Sequence, residues 1–334
     1  MRRLAWGLLA LLAACASAAT DRASVRMRIV DADRLLRGES PPPQSDENII
    51  LRVEDRDALA TIERAADVVR RAGAGLGYWI EVARSPSLAA RYPEHVATLQ
   101  AHDAWRQDQP GAPVAQPGQV LTVSPYVPVT TTEGAALQLA RVNGLLERLP
   151  RADELWLAGL QTAPSACGCG HPWCRWATDY FLRDDAHPTK IPSGTAIGLD
   201  AAARFCASIE AAGHGARVVP VFVPECLDED ESCHGVPCFD GACWPALALQ
   251  WTPVAQRYRK LGVHLPTRSV GRPITASAAR TALAMMSRYE RKDVATIDVD
   301  PERITVIVEE PIDGLETAVL SEAEFEASWQ VVVR

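Results

Sequence analysis

Most of the short motifs by which a sequence declares its chemistry are missing from this chain of 334 residues. No G-x-G-x-x-G joins a strand-like run to a helical one, which excludes the phosphate-binding turn of a dinucleotide fold. No G-x-S-x-G elbow occurs, and Ser193 in IPSGTAIG lacks that setting, so nucleophilic serine chemistry is not expected. Positive charge is also short: 34 Lys and Arg face 42 Asp and Glu, a formal net charge of −8, with no long basic run. A surface of that sign repels phosphate backbones, and no nucleic-acid partner is expected. Past the N-terminal leader, no stretch reaches the roughly 20 apolar residues that a membrane-spanning helix needs. What the chain does have is 48% hydrophobic residues, a full core for a globular protein, and length for one large barrel or two ordinary domains.

The leader has the composition of an export signal. Met1, Arg2 and Arg3 precede the uncharged apolar run Leu4 to Ala14 and the small residues Ala16-Ser17-Ala18, so a signal peptide over 1–18 is expected. Leu12-Ala13-Ala14-Cys15 also resembles the bacterial lipobox, in which case the signal is 1–14 and Cys15 carries a lipid. Both routes lead to the bacterial cell envelope, as a periplasmic protein, an outer-membrane lipoprotein or a secreted one. Membrane contact is then expected only through that lipid anchor, and the compartment is oxidising.

Residues 19–47 end in the turn-rich stretch ESPPPQSDEN and read as a lead-in or linker. A regular alternation follows. Strands are expected at Asn48 to Val53, Tyr78 to Val82, Val120 to Ser124, Glu154 to Leu157 and Arg217 to Val223. Helices are expected at Asp57 to Ala72, with Asp57 as N-cap and Gly75 and Gly77 as breakers, at Ser87 to Leu99, at Thr132 to Leu149, with Thr132 near its cap, and at Gly198 to Ala212, stopped by Gly213 and Gly215. Parallel neighbours can be joined only by long crossovers, so the class is α/β. Without a glycine-rich phosphate loop the pattern fits a (β/α)8-like barrel, complete or incomplete, over 48–291. The tail, 292–334, contains IDVDPERITVIVEE, two β-rich runs around an Asp-Pro turn, and is expected to form a small β-rich C-terminal extension with antiparallel strands.

Eight of the nine cysteines lie between positions 167 and 243. Cys167, Cys169 and Cys174 fall in one loop (161–180), Cys226, Cys233, Cys238 and Cys243 in another (224–245), and Cys206 on the helix between them. Each loop follows an expected strand, so each lies on the face where a barrel carries its site. In an exported protein, eight thiols read as four disulfides whose pairing the sequence cannot choose. The rival reading is zinc or copper held by Cys167, Cys169, His171 and Cys174 with Cys233, His234, Cys238 and Cys243, although this spacing matches neither the paired C-x2-C pattern nor C-x-x-C-H. His95, His102, His187, His214 and His264 have no spacing that argues for a ligand, and otherwise no cofactor is expected.

Strand ends on that face supply Glu54 and Asp55, Glu81, Tyr126, Gln161 and Glu225. Glycoside hydrolysis needs one carboxylic acid to protonate the leaving oxygen and one carboxylate as base or nucleophile, and Glu225 with Glu81 is the expected pair. Trp79, Trp156, Trp173 and Trp244 lie near the same rim and offer flat faces for sugar rings. Glu54 and Asp55 border a charged run that reads more readily as a solvated turn. Carbohydrate binding is thus expected at Trp79, Tyr126, Gln161, Trp173 and Trp244, with a carbohydrate or another small molecule as ligand.

The segments GLGYWIEVARSPSLAARYPEHV and DELWLAGLQTAP resemble the glycoside-hydrolase-like (β/α) barrels of exported bacterial proteins. That resemblance implies a barrel over roughly Asn48 to Val223 and carbohydrate chemistry on its C-terminal face. Where those proteins often carry an acidic residue after the fourth strand, this chain has Ala158-Gly159-Leu160-Gln161. Binding without hydrolysis therefore stands beside hydrolysis as an expectation.

Overall fold

A computed structural model describes residues 26–54, 57–96, 124–129, 131–160, 200–224, 232–233, 236–237, 251–265, 268–269, 272–291, 295–315 and 330–333. Eight strands form one sheet in chain order: β1 (Arg26–Asp31), β2 (Glu47–Val53), β3 (Gly75–Glu81), β4 (Glu154–Ala158), β5 (Arg217–Phe222), β6 (Leu261–Leu265), β7 (Ile304–Val308) and β8 (Gln330–Val333). Every neighbouring pair is parallel. The sheet curls until β8 lies against β1, and no ladder joins those two among the described residues. The result is a (β/α)8-like barrel with an open seam.

Helices α1 (Ala32–Leu36), α2 (Leu59–Arg71), α3 (Pro86–Arg91), α4 (Thr132–Leu146), α5 (Ala201–Ala211) and α6 (Ala276–Ser287), with a further helical stretch at 251–257, fill the connections. In α2, Ile62, Ala65, Ala66 and Val69 follow the i, i+3, i+4, i+7 pattern and are buried against the outside of the sheet. Asp57 does not cap this helix: Ala58 does, and Asp57 Oδ2 accepts the Glu54 amide at 2.6 Å, closing the turn from β2. Thr131, one residue before the expected position, caps α4 by accepting the Gly134 amide at 3.1 Å. Gly73, at φ +73°, ends α2, whereas Gly75 and Gly77 belong to β3.

Strand alternation divides the apolar side chains into two populations. Ile49, Leu51, Tyr78, Ile80, Leu155, Leu157, Val218 and Val263 face outward into the large core under the helices. Met27, Ile29, Ile50, Trp79, Trp156, Val219, Val221 and Ile307 fill the interior of the barrel. Three strand positions around this interior carry no side chain, and at one of them, Gly262, the Trp156 indole approaches the backbone. A Cβ at Gly77 would meet Ile50 Cδ1 at 2.4 Å, one at Gly75 would meet Asn48 Oδ1 at 2.0 Å, and one at Gly262 would meet Val221 Cγ2 at 2.8 Å and Trp156 Cζ3 at 3.2 Å.

Three elements differ from the sequence-based expectations. β1 and α1 lie inside the stretch read as a lead-in. β3 pairs directly with β4, Gly77 opposite Glu154, so no strand intervenes; Val120 to Val123, expected as one, falls outside the described residues. The tail is β-rich, but Ile304–Val308 is wholly buried and joins the barrel parallel to β6, as a continuous apolar run should. The antiparallel pairing falls one turn earlier, between Arg288–Arg291 and Ala295–Asp298, because Pro301–Arg303 forms a 3-10 turn between Asp298 and β7.

Candidate functional site on the C-terminal face

Register decides which side chains meet at the C-terminal end of the barrel. Asp31 pairs with Arg52, Arg52 with Trp79, Trp79 with Trp156, and Glu81 with Ala158. Across the sheet, His264 pairs with Ile307, and Glu309 follows directly on β7. These residues form a polar arc. Arg52 is held at 3.3 Å from Asp31 and 3.0 Å from Glu54. Trp79 Nε1 donates to Glu81 Oε1 at 3.0 Å, its ring meets the His264 ring edge-on at 6.0 Å, and His264 Nε2 lies 3.6 Å from Glu309 Oε1.

Glu81 is fixed from several directions. Its backbone carbonyl accepts from Arg141 on α4 at 2.7 Å, and the same guanidinium nitrogen reaches the Val82 carbonyl at 2.9 Å. Arg141 Nε in turn donates to Gln138 Oε1 at 2.8 Å, and the buried Gln138 amide donates to the Val127 carbonyl at 2.9 Å, tying the 124–129 stretch to the same strand end. Gly159, just beyond β4 at φ +64°, leaves room for the carboxylate, since a Cβ there would lie 3.1 Å from Glu81 Oε2.

The expected site residues separate into three groups. Glu81 and Glu54 stand on this face, and half-buried Tyr126 is bridged to Arg84 beside it. Trp79 and Trp156 are not rim platforms: they are 1% and 0% exposed inside the barrel, where Trp79 orients Glu81. Asp55, Gln161, His171, Trp173, Glu225, His234 and Trp244 lie outside the described residues, as do Cys15, Cys167, Cys169, Cys174, Cys226, Cys238 and Cys243 and the side chain of Cys233. Cys206 overturns one expectation. It is a free thiol, buried in the core on the inner face of α5, and burial with the neighbouring Glu210 carboxylate pushes its pKa far up. Among the described residues it has no disulfide partner.

Sequence reasoning missed Asp31, Arg52, His264 and Glu309. The signal was present for His264: in Leu261-Gly262-Val263-His264-Leu265, period-2 alternation puts Gly262 and His264 on the side opposite the apolar residues. It was concealed because a five-residue strand shows too few repeats of its period to stand out in a stretch where no strand or helix was expected.

The opposite, N-terminal end holds a different acid. Glu154 is 3% exposed, with Lys260 Nζ 3.0 Å from both carboxylate oxygens, Trp156 Nε1 donating at 2.9 Å and the Arg217 guanidinium hydrogen-bonded to it. Burial alone would raise this carboxyl; the Lys260 and Arg217 charges reverse that and hold it below the usual carboxylate range. Lys260 also sits 4.9 Å from the centroid of the Trp156 ring.

The class defined by sheet and face is a (β/α)8-like barrel with an acid-rich C-terminal end. No family model matches the chain, and no curated protein does. Among solved structures it is similar to glycoside hydrolases. A beta-galactosidase from psychrophilic Marinomonas ef1 is 10% identical over 71% of this chain and 40% of its own, at TM-score 0.40. The Flavobacterium johnsoniae chitobiase is 10% identical over 86% and 38%, at TM-score 0.43. The catalytic domain of a Paenibacillus polymyxa beta-amylase is 11% identical over 93% and 92%, at TM-score 0.44. The chain thus spans about two fifths of the first two. These likenesses concern the fold and carry no residue role across.

Proposed function

We propose that this protein is a glycoside-hydrolase-like barrel of the bacterial cell envelope that binds a carbohydrate at the C-terminal ends of its strands and cleaves it with a pair of carboxylates. The observation that carries the reading is the placement of Glu81, held by the indole of Trp79 at 3.0 Å and by its own carbonyl on Arg141, at the end of a barrel strand. An acid used in catalysis must be fixed to within a fraction of an ångström, and such supporting contacts do that. Glu225, just past β5, is the partner in this reading, and Glu309 adds a further carboxylate on the same face. One acid protonates the glycosidic oxygen as the bond to the anomeric carbon breaks; the other, as carboxylate, attacks that carbon or takes a proton from the attacking water. Neither step calls for a metal or an organic cofactor.

Turnover of an oligosaccharide panel by the mature protein tests this, with product analysis for wild type, Glu81→Gln and Glu225→Gln. Loss of about 100-fold or more in turnover, with binding retained, is expected of both variants. Full activity in Glu81→Gln, or no saccharide bound at all, overturns the proposal. Binding without cleavage is a second reading, favoured by Ala158-Gly159-Leu160 at the end of β4, which carries no acid. Zinc or copper on the loop residues is a third, favoured by Cys206: its removal from the eight leaves seven loop thiols, an odd number that disulfides within one chain cannot all consume.

A further inference from the structure

Two of the four unpartnered polar atoms in the described interior belong to side chains that line one cavity, and a third lies beside Glu309, which lines it too. Among the described residues, the buried side-chain nitrogens and oxygens without a hydrogen-bond partner are Arg28 Nε, Arg52 Nε, His264 Nε2 and Thr252 Oγ1. Arg28 and Arg52 line a cavity of about 600 Å³ beside the open seam, and Glu309, the carboxylate facing His264, lines it too. Buried polar atoms are almost always satisfied, so such a concentration marks a place built for more than packing.

This cavity is one end of a longer cleft. A second cavity, of about 610 Å³, is lined by Asp33, Arg37, Glu54 and Asp57 and shares Asp31, Arg34 and Arg52 with the first. Both volumes fall in the range of built ligand sites. Together they cross the C-terminal end of β1, from Glu309 on one side to the start of α2 on the other.

Each arginine that lines this cleft already has a carboxylate partner, and the carboxylates outnumber the arginines. Arg52 is paired with Asp31 and Glu54, Arg34 and Arg37 with Glu39, and Arg28 with Glu47. A carboxylated or phosphorylated ligand would meet the excess of acids and displace these pairs. A hydroxyl would not, because one O–H donates to a carboxylate while the same oxygen accepts from a guanidinium. Alternating Asp, Arg and Glu along a cleft is therefore suited to a ligand that carries many neutral hydroxyls in a row.

We propose that the seam cleft binds the extended part of a neutral saccharide, with Arg52 and Arg34 as the residues that recognise its hydroxyls. The inference rests on the carbohydrate reading above and deepens it: Glu81 works at the barrel mouth, and the cleft holds the chain that leads away from it. These arginines are binding residues and take no part in bond cleavage.

Titration calorimetry on the mature protein tests it, with cellohexaose, maltohexaose and chitohexaose as neutral probes, their disaccharides, and the galacturonate and glucosamine hexamers as charged ones. At least one neutral hexasaccharide is expected to bind tighter than its disaccharide and tighter than either charged hexamer. Arg52→Lys, which keeps the charge and loses the fork, is expected to weaken hexasaccharide binding about 10- to 100-fold and leave the disaccharide unchanged. Arg34→Ala, at an exposed position, is expected to weaken it several-fold and keeps the test open should Arg52→Lys fail to fold. Wild-type affinity in Arg34→Ala and in folded Arg52→Lys overturns the inference while disaccharide turnover leaves the function standing. Preference for galacturonate or glucosamine overturns it likewise. If no saccharide binds, function and inference fall together.

Discussion

Replacing Glu154 with Gln separates the structural acid at the base of the barrel from the acids at its mouth. Removing one partner of a buried ion pair costs about 3–5 kcal/mol. Here the figure falls to about 2–3 kcal/mol, because Arg217 is 62% exposed and can turn to water, and the amide oxygen of Gln still accepts from Trp156 Nε1. Lys260, only 23% exposed and stacked over Trp156, is the group left stranded. At about 2–4 °C per kcal/mol for domains of 150–250 residues, and less for a longer chain, a fall of roughly 5 °C in melting temperature is expected at neutral pH. The pH dependence identifies the cause. Glu154 titrates lower in the folded chain than in the unfolded one, so its contribution is complete above the ordinary carboxylate value near 4.3 and disappears as pH falls through the folded value. Melting followed by circular dichroism, and urea unfolding, should show the full gap between wild type and Glu154→Gln at pH 7 and a smaller one near pH 3.5. A gap under about 0.5 kcal/mol at pH 7, or one that is the same at both pH values, would refute the electrostatic account.

Other outcomes follow from single positions. Alkylation of the native protein should spare Cys206 and reach it only after denaturation, and intact mass of the mature protein, whose Cys15 is removed or lipidated, should reveal no more than three intramolecular disulfides before reduction; a fourth would contradict the free thiol. Gly159→Ala should cost about 1–2 kcal/mol for its φ of +64° and, by crowding Glu81 Oε2, should also lower turnover, so a variant with wild-type stability and activity would show that the approach is not needed. Arg141→Met strips a charged donor from the Glu81 and Val82 carbonyls and should destabilise by about 1–3 kcal/mol, with turnover of any cleaved oligosaccharide falling further than the fraction unfolded explains.

The strands that were legible in the sequence are those whose burial on both sides leaves a continuous apolar run next to a clear helix. Asn48 to Val53, Glu154 to Leu157 and Arg217 to Val223 each match a barrel strand within a residue or so. β1 was hidden because Arg26 and Arg28 break its run; both point outward, where their terminal guanidinium nitrogens meet Asp46, Glu47 and the carbonyls of Pro41 and Pro42, contacts that no local pattern announces. β7 was visible as a strand but not as a barrel strand, since its partner Leu261–Leu265 lies about 40 residues earlier and only pairing reveals the neighbour. The site shows the same division. Glu81 could be found from strand and period, whereas Trp79, offered as a sugar platform, belongs to the interior because strand register turns it inward opposite Arg52 and Trp156.

The two ends of this barrel treat their acids in opposite ways, and that contrast locates function better than any single residue. At the base, Glu154 is enclosed, bonded to two cations and an indole, and its charge is neutralised on the spot; such an arrangement stabilises and has no capacity left for a ligand. At the mouth, Asp31 and Glu309 remain 44% and 46% exposed, and Glu54 is partly exposed at 21%. Arg52 and His264 beside them keep buried nitrogens without hydrogen-bond partners. Satisfying those nitrogens from within would have taken one more carboxylate or carbonyl, as it did at the base. The chain instead places paired arginines, partly exposed carboxylates and those nitrogens around a cleft at the end where βα loops converge, the arrangement on which the proposed binding of neutral hydroxyls rests.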